Sequence, residues 1–361
     1  MKIYYDYQVF LLQKFGGVSK YFINLINNFD KETKRLIIAP FHKNYYLKQQ
    51  RTNVKKFLYI DIKKKNVNFI SSNFNQTYTK LLYNYKTPDI FHFTYFNNSY
   101  YLKKKSRQVI TIYDLIKEKF YKEKFKNENE NKIKYFKNMD KIICISENTK
   151  KDLIDYYKIS PNLIKVIHLG VSFDKDYITI DHLLPDKPYL LFVGFRSRYK
   201  NFKNFINAYS KSKRLKNDFD VVCFGGDSFT SDEINFFKDS GISKKIKKID
   251  GNDLELNYVY KKARCFVFPS LYEGFGLPLL ESMNMDCPVI CSDSSCFSEV
   301  TNEAAKMFNP NDIENIIYQI ENTVYDDLEI NNLVKKGREN IKNFSWKKCA
   351  DETLETYKTL L

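Results

Sequence analysis

The chain has 361 residues, with 59 Lys and Arg against 43 Asp and Glu, a formal net charge of +16. At about 150 residues per domain this length points to two domains, each able to bury its own core. Hydrophobic residues at 43% and aromatic residues at 16% exclude a disordered chain, and no apolar run approaches the roughly 18 residues that a membrane-spanning helix needs.

Lys2–Tyr5 reads as a strand that leads to Gly16-Gly17, after which Val18–Phe29 has helical spacing. Arg35–Ala39, Ile90–Phe93, Val109–Ile112, Lys141–Ile145 and Lys165–His168 are further strand-like runs, and Asn148–Tyr157 between the last two is helical. Strands separated by helices predict a parallel, doubly wound sheet. Lys117–Lys137 is Lys-, Glu- and Asn-rich and reads as a solvated helix or a mobile loop. Asp181–Pro188, with two prolines, reads as an interdomain linker. A second series follows: Tyr189–Val193 enters Gly194, Asp220–Phe224 enters Gly225-Gly226, and Cys265–Pro269 and Pro288–Cys291 repeat the pattern. Buried strands ending in Gly- or Pro-marked loops are where open α/β sheets bind ligands. Ser345–Leu361 reads as a terminal helix.

The N-terminus carries Asp6, Gln13 and Lys14 and lacks the apolar core of a signal peptide, so a cytoplasmic protein is expected. Seven scattered cysteines fit that compartment better than a disulfide framework. Cys287, Cys291 and Cys296 cluster without a histidine nearby in sequence and read as free thiols, with no metal site expected. Charge divides at the linker: residues 1–180 hold 34 Lys and Arg against 16 acids, and residues 181–361 hold 25 against 27.

Glycine is scarce, with eleven in the chain where ordinary usage would give about 25. Ten of them, Gly16-Gly17, Gly170, Gly194, Gly225-Gly226, Gly241, Gly251, Gly274 and Gly276, fall in tight spots that mark the functional loops. In Pro269-Ser-Leu-Tyr-Glu-Gly-Phe-Gly-Leu-Pro-Leu-Leu-Glu281, a buried strand enters a two-glycine turn and then a helix starting near Leu277-Pro278. The free N–H groups of Gly274, Phe275, Gly276 and Leu277 suit an anion such as a diphosphate. Glu273 precedes that helix and Glu281 lies one turn into it.

This segment resembles the E-x7-E motif of retaining glycosyltransferases of family 4 (glycosyl transferases group 1), with Glu273 and Glu281 as its two acids. Phe15-Gly16-Gly17-Val-Ser-Lys-Tyr is similar to the family's N-terminal glycine loop, and Val193-Gly-Phe-Arg196-Ser-Arg-Tyr-Lys200-Asn to its basic diphosphate loop. Asp250-Gly251-Asn-Asp-Leu-Glu-Leu is similar to its loop near the nucleotide base. The resemblance implies an α/β protein of the GT-B fold: two Rossmann-like domains, residues 1–180 on the acceptor side and 186–344 on the donor side, facing a central cleft. Residues 345–361 are then candidates to pack back on the first domain. It implies a retaining transfer of a hexose-type sugar from a UDP-, GDP- or dTDP-sugar to a glycan or lipid-linked glycan, in surface polysaccharide or glycoconjugate synthesis. No cofactor beyond that co-substrate is implied. Arg196 and Lys200 would hold the diphosphate, Glu281 the ribose and Glu273 the donor sugar.

One departure matters. Where many members have His-Asp, this chain has Tyr113-Asp114; a tyrosine keeps a hydroxyl but does not titrate near neutral pH. Asp114 stands as an acceptor-side base or as a helix cap, and His92 as a cleft residue or a core one. Metal-dependent transferases hold a cation on an Asp-x-Asp-type acid pair; with the cation pair Arg196 and Lys200 and backbone N–H groups offered for the diphosphate instead, the transfer is expected to run without a metal. Two rivals stand beside it. A sugar-nucleotide epimerase shares the architecture but not the Glu273 context. A basic nucleic-acid-binding protein suits the charge, but no such motif is present and no nucleic-acid partner is expected. The basic first half either docks on an anionic membrane, each exposed Lys adding up to ~1 kcal/mol, or reflects composition alone.

Overall fold

A computed structural model describes residues 1–50, 53–60, 65–96, 102, 105–121 and 129–361. The chain divides into two compact units: Met1–Gly170 together with Ser345–Leu361, and Val171–Phe344.

Among the described residues, the first unit is built on a seven-stranded parallel sheet. Its strands are β1 (Lys2–Tyr5), β2 (Lys34–Ile38), β4 (Val54–Lys55), β6 (Ile90–Phe93), β7 (Arg107–Ile112), β8 (Lys141–Cys144) and β9 (Ile164–Val166), in the order β4-β2-β1-β6-β7-β8-β9. A short parallel pair, β3 (Phe41–His42) and β5 (Leu58–Tyr59), lies apart from it. The central strands are buried on both faces, with Ile3, Tyr5, Ile90, Phe91, Val109 and Ile110 all at zero exposure. Parallel strands covered by helices read as apolar runs for this reason.

The second unit has a six-stranded parallel sheet ordered β12-β11-β10-β13-β14-β15. The strands are β10 (Tyr189–Val193), β11 (Asp220–Phe224), β12 (Ile246–Ile249), β13 (Cys265–Phe268), β14 (Val289–Ser292) and β15 (Ala305–Phe308). Leu190, Phe192, Val221, Cys265 and Val267 form its core with Phe205, Ile206 and Tyr209 of the helix Phe202–Lys211 and with Ile316 and Ile320 of the helix Ile313–Val324.

The main strands lie within a residue or two of their expected positions, whereas the two-residue strands β3, β4 and β5 and, in the second unit, β12 and β15 are additions. The last two are short and half-exposed along part of their length, so no apolar run announces them. The first unit ends at Gly170, ahead of the expected 180, because residues 171–185 are pinned to the second unit. There Ile178 N donates to Leu254 O at 3.2 Å, and the side-chain amides of Asn257 and Asn284 donate to Asp176 O and Asp174 O. Lys117–Lys137 contains the helices Ile116–Phe120 and Asn129–Lys137; residues 122–128, like Lys63, Lys64, Lys103 and Lys104, lie outside the described residues.

The terminal helix Trp346–Lys358 belongs to the first unit. Its Tyr357 is fully buried, and its hydroxyl meets Tyr5 Oη at 3.3 Å and His92 Nδ1.

Candidate active site

In the second unit the candidate residues Arg196, Lys200 and Glu273 lie on the loops at the carboxyl ends of β10 and β13. Leu271 N donates to Tyr199 O at 2.7 Å, which ties the loop after β13 to the loop after β10. This brings Lys200 Nζ to 2.6 Å from Glu273 Oε1, with both side chains only 15% and 13% exposed. The ammonium also lies 5.1 Å from the centroid of the buried Phe268 ring, so the pair sits in a partly desolvated setting where charge interactions strengthen.

The Glu273 backbone is fixed from the loop after β14. Ser295 Oγ donates to Glu273 O at 2.6 Å, Glu273 N lies 3.2 Å from the same hydroxyl, and Cys296 Sγ bridges the carbonyls of Glu273 and Phe275. Gly276 then takes φ +93°, a left-handed conformation that favours glycine, and caps the helix Leu277–Asn284 with Pro278 in its first turn. Phe275 contributes backbone to this turn, since its ring is buried against Phe344 at 5.8 Å. Gly274 is buried in the same turn, and Leu277 opens the helix. Glu281 lies one turn further on, half-buried beside Tyr260, whose phenol is raised well above its usual range by burial and next by the Glu281 carboxylate.

Arg196, the expected diphosphate partner of Lys200, is turned to the loop after β11. Its Nε donates to Glu233 at 2.8 Å, Nη2 donates to Asp227 O at 2.6 Å and Ser228 O at 2.9 Å, and the guanidinium stacks 4.6 Å from the Phe229 ring. The side chain is 5% exposed, so it braces the loop after β11. Ordering that loop offsets the cost of burying the charge. A cavity of about 390 Å³ lies beside it, lined by Phe195, Arg196, Ser197, Tyr199, Asp227 and Glu233 among others. Gly251 follows β12, and Asn252 behind it caps the helix Asp253–Lys262.

In the first unit, Gly16 and Gly17 open the helix Gly17–Asn27. The Gly16 Cα approaches the Gln13 side chain, whose Oε1 accepts from Ser19 N at 3.1 Å. A Cβ at Gly16 would stand 2.4 Å from that oxygen, whereas Gly17 has open space. Tyr113 and Asp114 line a cavity of about 450 Å³ with Gln8, Tyr95, Lys117 and Lys132 among others. The Tyr113 hydroxyl is buried, and burial raises the phenol well above its usual range. Asp114 accepts from Ile116 N at 3.0 Å, while the N-cap position of the helix Ile116–Phe120 is Leu115.

His92 is a core residue and not a group at the ligand. It is fully buried, its Nε2 lies 2.9 Å from Thr111 Oγ1 and its Nδ1 is engaged by Tyr357, and burial lowers it to about 3. Asp6, which the sequence does not single out, is also fully buried. It accepts from Gln8 Nε2 at 2.6 Å and from Thr94 N at 3.0 Å, and burial pushes it up to about 6. An acid just past a first strand looks like any turn residue, so only the fold reveals it. Among the described residues no three His, Cys, Asp or Glu side chains converge as a metal cluster, and no helix is long and apolar enough to cross a membrane.

Two parallel α/β units with glycine-marked loops at the carboxyl ends of their strands define the GT-B class of fold. Structural likeness agrees: HepE of Anabaena, solved with UDP, matches at a TM-score of 0.76 and 13% identity over 99% of this chain and 100% of that one. Sucrose-phosphate synthase from Thermosynechococcus elongatus matches at 0.75 and 18% identity over 99% of this chain and 98% of that one. Residues 15–175 match the model of Glycosyltransferase Family 4 and residues 175–340 that of Glycosyl transferases group 1. The chain belongs to this glycosyltransferase family.

Among its curated relatives, O-antigen chain mannosyltransferase B of Escherichia coli is 28% identical over 61% of this chain and 60% of its own length. The serotype-specific mannosyltransferase WbdA of the same species is 27% identical over 64% of this chain and 30% of its own length. A Campylobacter jejuni enzyme, N-acetylgalactosamine-N,N'-diacetylbacillosaminyl-diphospho-undecaprenol 4-alpha-N-acetylgalactosaminyltransferase, is 26% identical over 60% of this chain and 59% of its own length. The chain thus spans about 60% or less of the length of each.

Proposed function

We propose that the chain is a retaining, metal-independent hexosyltransferase that moves a sugar from a UDP-, GDP- or dTDP-sugar to a glycan or lipid-linked glycan acceptor in surface polysaccharide or glycoconjugate synthesis. It works on the cytoplasmic side, in peripheral contact with an anionic membrane. The observation that carries this reading is the Lys200–Glu273 pair at the mouth of the two-glycine turn.

In glycosyl transfer the bond between the anomeric carbon and the diphosphate oxygen breaks, and negative charge grows on the leaving diphosphate. Lys200 and the backbone N–H groups of Gly274 to Leu277 stabilise that charge in a site already oriented for it. Before the donor arrives, Glu273 neutralises Lys200; when the diphosphate takes the ammonium, the Glu273 carboxylate turns to the hydroxyls of the donor sugar. Glu281 holds the ribose. Arg196 acts through the loop it braces. In the first unit, the cavity beside Tyr113 and Asp114 receives the acceptor, and the Tyr113 hydroxyl supplies a hydrogen bond there without titrating. The mannosyl and N-acetylgalactosaminyl activities named for the relatives, and the diphospho-undecaprenol-linked acceptor named for one of them, support a sugar donor and a lipid-linked acceptor.

Thermal unfolding with UDP-, GDP- and dTDP-sugars in turn tests the reading, because a bound donor raises Tm by mass action. One nucleotide series is expected to raise Tm, and turnover with it to persist in EDTA with the anomeric configuration kept. No shift with any series would overturn the donor assignment; loss in EDTA restored by Mn²⁺ would overturn metal independence; an inverted product would overturn retention.

A further inference from the structure

The helix Lys65–Tyr85 is amphipathic in the wrong sense. Ser71, Asn75, Thr79 and Tyr83 recur every four residues, share one face and are buried, with Asn75 and Thr79 at zero exposure. The inward face is held by hydrogen bonds. Asn75 accepts from Phe41 N at 2.9 Å and donates to Phe41 O at 2.8 Å, and the Tyr83 hydroxyl accepts from Lys105 N at 2.9 Å. The opposite face carries Ile70, Phe74, Leu81 and Tyr85, which are 66%, 44%, 65% and 80% exposed. Phe57, itself 58% exposed, extends this stripe through ring contacts with Tyr78 at 5.2 Å and Phe74 at 6.5 Å. A contiguous apolar surface of this kind marks a binding face, whereas scattered apolar residues would need no explanation.

The surrounding charge selects the partner. Residues 65–86 contain no Asp or Glu, and the described residues between 41 and 86 include Lys43, Lys48, Lys55, Lys56, Lys80 and Lys86 and no acid. Lys55 and Lys86, which border the stripe at Phe57 and Tyr85, are both exposed, and Lys86 Nζ lies 5.6 Å from the Tyr85 ring. A second copy of this face would set cations against cations, and a protein partner would need a matching acidic rim around an apolar groove. An anionic bilayer supplies both requirements at once: headgroup phosphates at the level of the lysines and acyl chains beneath them.

We propose that the outward face of the Lys65–Tyr85 helix, with Phe57, is the surface by which this chain lies on an anionic lipid bilayer, its apolar stripe sunk to the boundary between headgroups and acyl chains. This deepens the peripheral membrane contact proposed above and gives it a location. It rests on that reading for the acceptor's whereabouts and not for the donor chemistry.

The test is co-sedimentation of the full chain with phosphatidylcholine vesicles, with and without phosphatidylglycerol. The unchanged protein is expected to pellet with the anionic vesicles at low salt. The triple variant Ile70→Ser, Leu81→Ser, Tyr85→Ser should bind them at least about tenfold more weakly. Lys55→Glu with Lys86→Glu should remove the preference for phosphatidylglycerol. All five side chains point to solvent, so Tm should stay unchanged in both variants. The Tm rise given by the active nucleotide-sugar series should also stay unchanged, which separates failure of the docking face from failure of the donor site. Equal sedimentation of the triple variant and the unchanged protein would overturn the proposal. So would an unchanged protein that is a dimer in solution and becomes a monomer through the triple substitution, because the face would then be a subunit interface.

Discussion

Lys200 and Glu273 lie 73 positions apart in sequence, and their contact makes opposite predictions for the two side chains. Lys200→Met removes the cation that meets the diphosphate and is expected to lower kcat/KM by about 10²–10³-fold, with the Tm rise from the nucleoside diphosphate lost. Glu273→Gln frees Lys200 from its competitor. Nucleoside diphosphate binding should hold or tighten while turnover falls; isothermal titration beside steady-state kinetics separates the two cases. Had the pair been an incidental surface bridge, worth about 0–1 kcal/mol, neither variant would move kcat. His92 makes a different kind of prediction. Its buried imidazole stays neutral down to about 3, whereas an unfolded histidine takes up a proton near 6.5. Between those values the unfolded chain holds the extra proton, so the contribution of His92 to stability is complete above about 6.5 and is lost as pH falls. Asp6, raised to about 6, holds its proton in the folded state and acts in the opposite direction between its usual 3.8 and that value. The His92→Leu variant should therefore lose about 1–3 kcal/mol at neutral pH, through the buried hydrogen bonds it removes from the Thr111 and Tyr357 hydroxyls. Its urea midpoint should also rise less steeply than that of the unchanged protein between about pH 4 and 6.5. A slope identical to the unchanged protein's would show that this imidazole titrates normally.

Strands β10, β11 and β13 were legible because each is a buried apolar run ended by glycine or proline, and the loops they enter were legible for the same reason. The two acids of the Glu273–Glu281 segment followed from the turn and helix around them. The Lys65–Tyr85 helix had no such signature: with its polar residues inside and its apolar residues outside, it shows no inward apolar stripe, and only hydrogen bonds from Asn75 and Tyr83 reveal which face packs. The contacts of Arg196 with the loop after β11 were not legible, because a basic residue in a phosphate-type loop has the same sequence appearance whichever neighbour it meets. That loop also separates two adjacent glycines. Gly225 and Gly226 have φ of +72° and +73°, but a Cβ at Gly225 would meet open space, while one at Gly226 would stand 2.6 Å from the Gly194 carbonyl oxygen. Gly225→Ala should cost about 1–2 kcal/mol, the left-handed penalty alone. Gly226→Ala should cost more, because β10 and β11 must move apart at their carboxyl ends. Urea unfolding of both variants measures the difference, and equal losses would mean that the Gly194 loop yields without strain.

For the molecule as a whole, the sequence showed two α/β domains and the charge asymmetry between them, but neither the early boundary at Gly170 nor the partners of Tyr357 has a local pattern. Both depend on which unit captures a segment, a decision made by hydrogen bonds between residues far apart in the chain. The capture of Ser345–Leu361 by the first unit also imposes an order of events during synthesis. Domains generally fold as units as they emerge from the ribosome. Here the first unit has all seven sheet strands available once β9 is made, yet its core lacks Tyr357 until the second unit has been translated. His92 and Tyr5 wait for that hydroxyl while the intervening 174 residues of the second unit, Val171–Phe344, are produced and fold. A chain stopped after Phe344 should therefore show in calorimetry a second-unit transition close to that of the unchanged protein and a first-unit transition lowered or lost, and supplying residues 345–361 as a peptide should restore the latter. The first unit, begun before the second, is thus finished after it, and until then it stays open to whatever binds unfinished chains.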